Sequence, residues 1–99
     1  RILLLNNGEG AIFRTLPGLD KSPVRDTFIS GGHRTSAEGA CLEYGLGYRQ
    51  VSDAAGLESA LEWLVNSDSE KPLLLEVCTS AEADECEYKR LYKYIVCGQ

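Results

Sequence analysis

Methionine is absent from all 99 residues, histidine and tryptophan occur once each, and proline occurs three times. With His33 as the single histidine, a nucleophilic serine or cysteine has one conceivable imidazole base, and that one sits in a glycine-flanked loop beside Arg34. His33 is read as a solvated or structural loop residue, with the alternative that His33 and Arg34 face an anionic substrate across a cleft. No G-x-x-x-x-G-K-[ST] occurs, which excludes a Walker-type nucleotide site. Gly8-Glu9-Gly10-Ala11-Ile12-Phe13 starts like a dinucleotide fingerprint but puts Phe13 where the third glycine belongs, and no acidic residue closes a second strand at the required distance. The four cysteines, Cys41, Cys78, Cys86 and Cys97, form no C-x-x-C pair, so zinc is disfavoured. They are expected as reduced thiols in a cytoplasmic protein. No apolar run approaches the length of a membrane span, and there is no signal-peptide pattern. Ten scattered basic residues against fifteen acidic ones, a net charge of -5, exclude nucleic acid as the expected partner.

With 43% hydrophobic and 25% charged residues, the chain reads as globular and as one domain at most. Strand and helix signals alternate along it. Ile2 to Leu5 reads as a buried parallel strand and Ala11 to Leu16 as a short helical turn broken by Pro17 and Gly18. A polar loop follows from Leu19 to Arg34. Thr35-Ser36-Ala37-Glu38 has capping-box spacing and predicts a helix with Ala37, Ala40, Cys41 and Tyr44 on its apolar side, ended by Gly45. Gly47 to Val51 reads as a short strand. Ser52 or Asp53 caps an amphipathic helix whose buried face is Leu57, Ala60, Leu61, Leu64 and Val65, with Glu58, Glu62 and Asn66 outside. Pro72 leads into an interior parallel strand from Leu73 to Cys78. Thr79 to Glu82 repeats the capping-box spacing and opens a last helix to about Tyr94. Acidic residues crowd its start, Lys89, Arg90 and Lys93 its end, and Tyr88, Leu91, Tyr92 and Ile95 form its apolar stripe. The order β-α-β-α-β-α predicts an α/β fold of three layers, α/β/α, with a small parallel sheet.

The most specific stretch is the first. An apolar strand runs directly into Asn6, Asn7, Gly8 and Gly10, and the crevice outside the carboxyl ends of such strands is where α/β sheets bind ligands. Asparagine side-chain oxygens and backbone carbonyls are hard, neutral donors suited to magnesium carrying a phosphate group, and glycine lets the backbone approach closely. Because the apolar strand starts at residue 1 with nothing upstream to cover it, the chain is read as an excised piece of a longer protein, incomplete on its N-terminal side.

Asn6-Asn7 resembles the end of the thiamine-diphosphate motif. With the glycines and Ile12-Phe13-x-x-Leu16-Pro17 attached, the stretch resembles the family of 2-succinyl-5-enolpyruvyl-6-hydroxy-3-cyclohexene-1-carboxylate synthases of menaquinone biosynthesis. The later order of elements, including Tyr44-Gly45-Leu46-Gly47-Tyr48 and the Leu73 to Val77 strand, is similar to the C-terminal end of that family's diphosphate-binding domain. Residues 1–99 would then be the C-terminal portion of that domain. The resemblance implies thiamine diphosphate and Mg2+ as cofactors. It implies Asn7 as a side-chain ligand of the metal and Glu9 as a ligand through its backbone carbonyl. Asn6, Gly8, Gly10 and Ile12 would contact the cofactor, with Asn6 holding the turn by hydrogen bonds. This chain has Gly8 and Glu9 where relatives often have Asn and Gly, which leaves the Glu9 carboxylate without an assigned role.

Ile12, Phe13 and Leu16 match the family's apolar wall beside the thiazolium ring and substrate, and equally fit one face of a short helix. The implied reaction is decarboxylation of 2-oxoglutarate on thiamine diphosphate and addition of the succinyl-carbanion equivalent to isochorismate. A homo-oligomer is expected. The family's Gly-Asp metal ligand lies upstream of Asn-Asn, its activating glutamate lies in another domain, and this chain contains no Gly-Asp. The 99 residues alone are therefore expected to be inactive. Two other readings stay open. One is another thiamine-diphosphate 2-oxoacid decarboxylase or an acetohydroxyacid-synthase relative; the other is a non-enzymatic parallel α/β binding module.

Overall fold

The computed structural model describes the backbone of residues 1–97 and the side chains of residues 1–95. The Cys97 thiol lies outside the described residues. The chain forms two compact units: residues 1–6 with 35–78, and residues 7–34 with the chain from Thr79 onward.

The first unit is a three-stranded parallel sheet with two helices. Its strands are β1 (Ile2–Asn6), β2 (Gly47–Val51) and β3 (Leu73–Cys78), in the order β1-β3-β2. The apolar run of β3 takes the central place, with Leu74 aligned to Ile2 on one side and to Tyr48 on the other. Side chains alternate across a strand, so Leu73, Leu75 and Val77 share one face. There they meet Val51 and the Ala60 and Leu64 side of helix α2 (Ala54–Asn66), with Leu57, Leu61 and Trp63 packed around them. The expected parallel α/β arrangement is present as a small open sheet.

Four expectations for this unit are corrected. β1 is not buried: it has β3 on one side only, and Leu5 is 69% exposed. Helix α1 (Glu38–Tyr44) starts later than its capping box implies, with Ala37 at the cap and no side-chain cap bond. A carboxylate of β3 takes the Ala37 N–H instead, at 3.2 Å. Of the predicted α1 stripe only Cys41 is buried, while Tyr44 is 80% exposed. Val65, predicted on the inner face of α2, is exposed as well.

Gly45 ends α1 at φ 72°, a left-handed cap that glycine adopts without steric cost. Asp53 caps α2 by accepting the Gly56 N–H at 2.7 Å. Asp53→Ala is expected to cost about 1 kcal/mol, the usual worth of an N-cap, read as a lower midpoint in urea unfolding.

In the second unit, the helical turn expected from Ala11 to Leu16 is present as a 3-10 turn over Ala11–Arg14, and Arg25–Ile29 forms a π turn inside what the sequence offers as plain loop. The loop is tied back to the glycine turn, with Gly10 N–H donating to the Ser30 carbonyl at 2.6 Å and His33 N–H to the Gly8 carbonyl at 2.7 Å. Helix α3 (Ala81–Cys97) is capped by Ser80, one residue later than the spacing suggests, whose Oγ accepts the Ala83 N–H at 3.1 Å. Because α3 runs past Tyr94 to Cys97, its basic residues do not occupy the last turn. Lys89 and Arg90 instead pair with Glu85 and Glu87 one turn back, at the i,i+4 and i,i+3 spacings where helix side chains are neighbours. The stripe Tyr88, Leu91, Tyr92 and Ile95 is exposed. Among the described residues no helix is long and apolar enough to cross a membrane.

Candidate cofactor site

Asn7, Gly8, Glu9 and Gly10 form a turn whose hydrogen bonds fix each residue separately. The Asn7 side-chain oxygen accepts the Glu9 N–H at 3.2 Å, an Asx turn that closes the bend. Its amide nitrogen donates to Asp84 Oδ2 at 3.0 Å, and the same oxygen accepts from Thr79 Oγ1 at 2.8 Å. Both faces of the Asn7 amide are thereby oriented. Gly8 sits at φ 78°, and a Cβ there would lie 3.1 Å from the His33 carbonyl. Gly8→Ala is expected to cost about 1–2 kcal/mol from the left-handed backbone, with further displacement of His33, checked by thermal unfolding.

The Glu9 carboxylate, left without a role by the sequence, is bound by Arg14 through Nε and, at 3.2 Å, through Nη2. Arg14 is only 7% exposed. It also donates to Glu82 at 3.1 Å and to Glu85 at 3.5 Å, and lies 3.9 Å from Asp26. The hydrogen bond to Glu9, ahead of the opposing effect of burial, holds the guanidinium above its already high ordinary pKa. The side chain of Glu9 is thus committed to an ion pair, while its backbone carbonyl accepts no hydrogen bond among the described residues.

A cleft of about 660 Å³ opens beside this turn, lined by Asn7, Gly8, Glu9, Gly32, His33, Arg34 and the start of α3 from Thr79 to Glu82. It brings His33 and Arg34 to the same cavity as the asparagine turn. The apolar residues are dispersed. Ile12 is exposed and lines a smaller cleft with Ala11, Thr15 and Tyr88. The Phe13 ring lies against Gly10, where a Cβ would approach it to 3.0 Å. Leu16 is exposed, with its carbonyl accepting from Leu19 and Asp20.

Asn6 closes β1 in the first unit. Its amide donates to Glu76 Oε1 at 2.7 Å and to the Thr35 carbonyl at 3.0 Å. Glu76 is fully buried and also accepts from the Tyr48 hydroxyl, the Ala37 N–H and Gln50 Nε2. Burial on its own raises a carboxyl, but the bonds from Tyr48, Asn6, Ala37 and Gln50 outweigh it and hold Glu76 below its ordinary 4.5. Burial, and then the Glu76 hydrogen bond, push Tyr48 up to about 12. The near-continuous apolar run of β3 conceals this carboxylate, and only the charged residue inside that run signals it.

The donors at the turn suit magnesium in kind: one neutral amide oxygen and one backbone carbonyl, hard ligands that leave positions for phosphate and water. They are too few to form a closed site. Among the described residues no three His, Cys, Asp or Glu side chains gather to hold a metal.

The chain is an α/β protein with a small parallel sheet. Over 93 residues it is 40% identical to the 2-succinyl-5-enolpyruvyl-6-hydroxy-3-cyclohexene-1-carboxylate synthase of Bacteroides fragilis. It is 41% identical to the synthase of that name from Bacteroides thetaiotaomicron and 42% to that from Phocaeicola vulgatus. Each match takes in 93% of this chain and 17% of the relative. The chain is homologous to a segment of this synthase family, the one that residues 5 to 17 resemble, and spans about a sixth of its relatives' length. No family model matches the chain, and no solved structure matches it significantly.

Proposed function

We propose that residues 1–99 are the C-terminal portion of the diphosphate-binding domain of a thiamine-diphosphate-dependent synthase. Its substrates would be 2-oxoglutarate and isochorismate and its pathway menaquinone biosynthesis. The observation that carries this reading is the Asn7 to Gly10 turn, with an oriented amide oxygen and an uncommitted carbonyl two residues on, in a chain similar to synthases of that name. Asn7 Oδ1 and the Glu9 carbonyl would hold Mg2+, and the Gly8 and Gly10 backbone would admit the diphosphate. When bound, thiamine diphosphate supplies the nucleophilic carbon and electron sink that let a 2-oxoacid lose carbon dioxide.

The residues of this chain bind and orient. Ile12, Phe13 and Leu16 are the candidates for excluding water from the reacting centre. His33 and Arg34 offer imidazole and guanidinium to anionic groups in the same cleft as the turn. The metal's carboxylate ligand and the activating glutamate are assigned to other parts of the protein. The isolated chain is accordingly inactive, and the whole protein is a cytoplasmic homo-oligomer.

The test is turnover of 2-oxoglutarate by the full-length protein with thiamine diphosphate and Mg2+, with and without isochorismate. Consumption that needs both substrates supports the synthase. Consumption of a different 2-oxoacid keeps the cofactor and changes the reaction, and no thiamine-dependent turnover of any 2-oxoacid leaves a binding module.

A further inference from the structure

We infer that Asp84, near the start of α3, is a positioning residue that sets the metal affinity of the turn by orienting the Asn7 amide. The inference rests on the cofactor reading above and adds a residue to it.

An asparagine side chain presents an oxygen on one side and two N–H donors on the other. Left to rotate, it could turn its donors toward a cation. Here the Asn7 nitrogen donates to Asp84 Oδ2, an acceptor that rejects the flipped amide, because two oxygens face to face share no proton. The Glu9 N–H meets the opposite side of the amide and selects the same orientation. Asp84 is itself held, since the oxygen that takes the Asn7 proton also takes the Thr79 hydroxyl. Thr79, just ahead of the Ser80 cap, Asp84 in the first turn of α3 and Asn7 thus form a chain of contacts that ends at the proposed metal donor. Such outer partners of a ligand typically govern metal affinity by about 10–100-fold. Nothing in the spacing of the sequence marks Asp84, which is 77 positions from Asn7.

The experiment compares the full-length protein with its Asp84→Asn and Asp84→Leu variants. Mg2+-dependent retention of radiolabelled thiamine diphosphate is followed by equilibrium dialysis while Mg2+ is varied. Asparagine keeps an acceptor oxygen, so Asp84→Asn is expected within about threefold of wild type in the Mg2+ needed for half retention. Asp84→Leu is expected to need about 10–100-fold more. Thermal unfolding without metal is measured alongside, and the Mg2+ shift is expected to exceed anything that unfolding accounts for. Should the leucine variant fail to fold, Asp84→Ala, which also removes the acceptor but adds no bulk, takes its place with the same expectation. Equal Mg2+ requirements in wild type and the leucine or alanine variant overturn the inference, as does equal weakening in the asparagine and leucine variants. Wild-type protein that retains no thiamine diphosphate at any Mg2+ concentration overturns the cofactor reading itself and the inference with it.

Discussion

Glu76→Leu is expected to remove about 3–5 kcal/mol of stability, the largest single loss in the first unit. The leucine fills much of the same space but accepts nothing. It strands the Tyr48 hydroxyl, the Ala37 N–H and one Asn6 proton in a region where Glu76 itself has no exposed surface. A buried donor left unsatisfied costs about 1–3 kcal/mol, and Asn6 keeps its bond to the Thr35 carbonyl, which brings the sum down. The pH dependence has a definite sign. Glu76 titrates below 4.5 in the folded protein, so its contribution is fully present above that ordinary value and is lost as the pH falls through the lower, folded value. Urea unfolding as a function of pH should show wild-type stability falling below about pH 4.5 and a shallower fall in Glu76→Leu. Equal pH profiles for the two proteins would remove the carboxylate from the account.

Arg14→Met is expected to cost about 3 kcal/mol in the second unit. Removing one partner of a buried ion pair leaves the other charge uncompensated, typically a loss of about 3–5 kcal/mol. The lower figure applies because two of the four carboxylates around Arg14, Glu82 and Asp26, are largely in solvent and contribute little. Glu9 and Glu85 are the substantially buried ones. Arg14→Lys should recover only part of the loss, since an ammonium cannot reproduce the two-nitrogen grip on Glu9. The check is the urea midpoint of wild type and both variants at low and high salt. A methionine variant as stable as wild type would mean that the cluster is neutral to folding.

These two residues also mark what the sequence conceals. β3, α2 with its Asp53 cap, the glycine stop of α1 and the order of elements follow from local pattern: an apolar run, a 3.6-residue stripe, a capping residue, a left-handed turn. What fails is wherever a distant partner overrides a local rule. The capping box at Thr35 is locally sound, yet the Ala37 N–H goes to a carboxylate 39 positions further on, so the helix starts later. The stripes of α1 and α3 have helical period, but Tyr44 and Tyr88 remain in solvent because periodicity reports which residues share a face and not what lies opposite it.

The site divides the same way. Asn7 and Glu9 stand out as amide and carbonyl donors beside glycines. The partner of the Glu9 side chain is five positions away, outside helical spacing, at one of the unspecified places of Ile-Phe-x-x-Leu-Pro. Asp84 and Glu82 reach the turn only through the fold. Of Ile12, Phe13 and Leu16, grouped by spacing, Ile12 and Phe13 lie against different neighbours and Leu16 is exposed.

The central claim is that Asn7 presents a metal donor for a diphosphate cofactor, and calorimetric titration of thiamine diphosphate into the full-length protein tests it most directly. Binding is expected to require Mg2+ and to be lost or greatly weakened in Asn7→Ala, by more than the variant's loss of two side-chain hydrogen bonds, read as a modestly lower thermal midpoint without metal, accounts for. Equally tight, Mg2+-dependent binding by wild type and Asn7→Ala would contradict it.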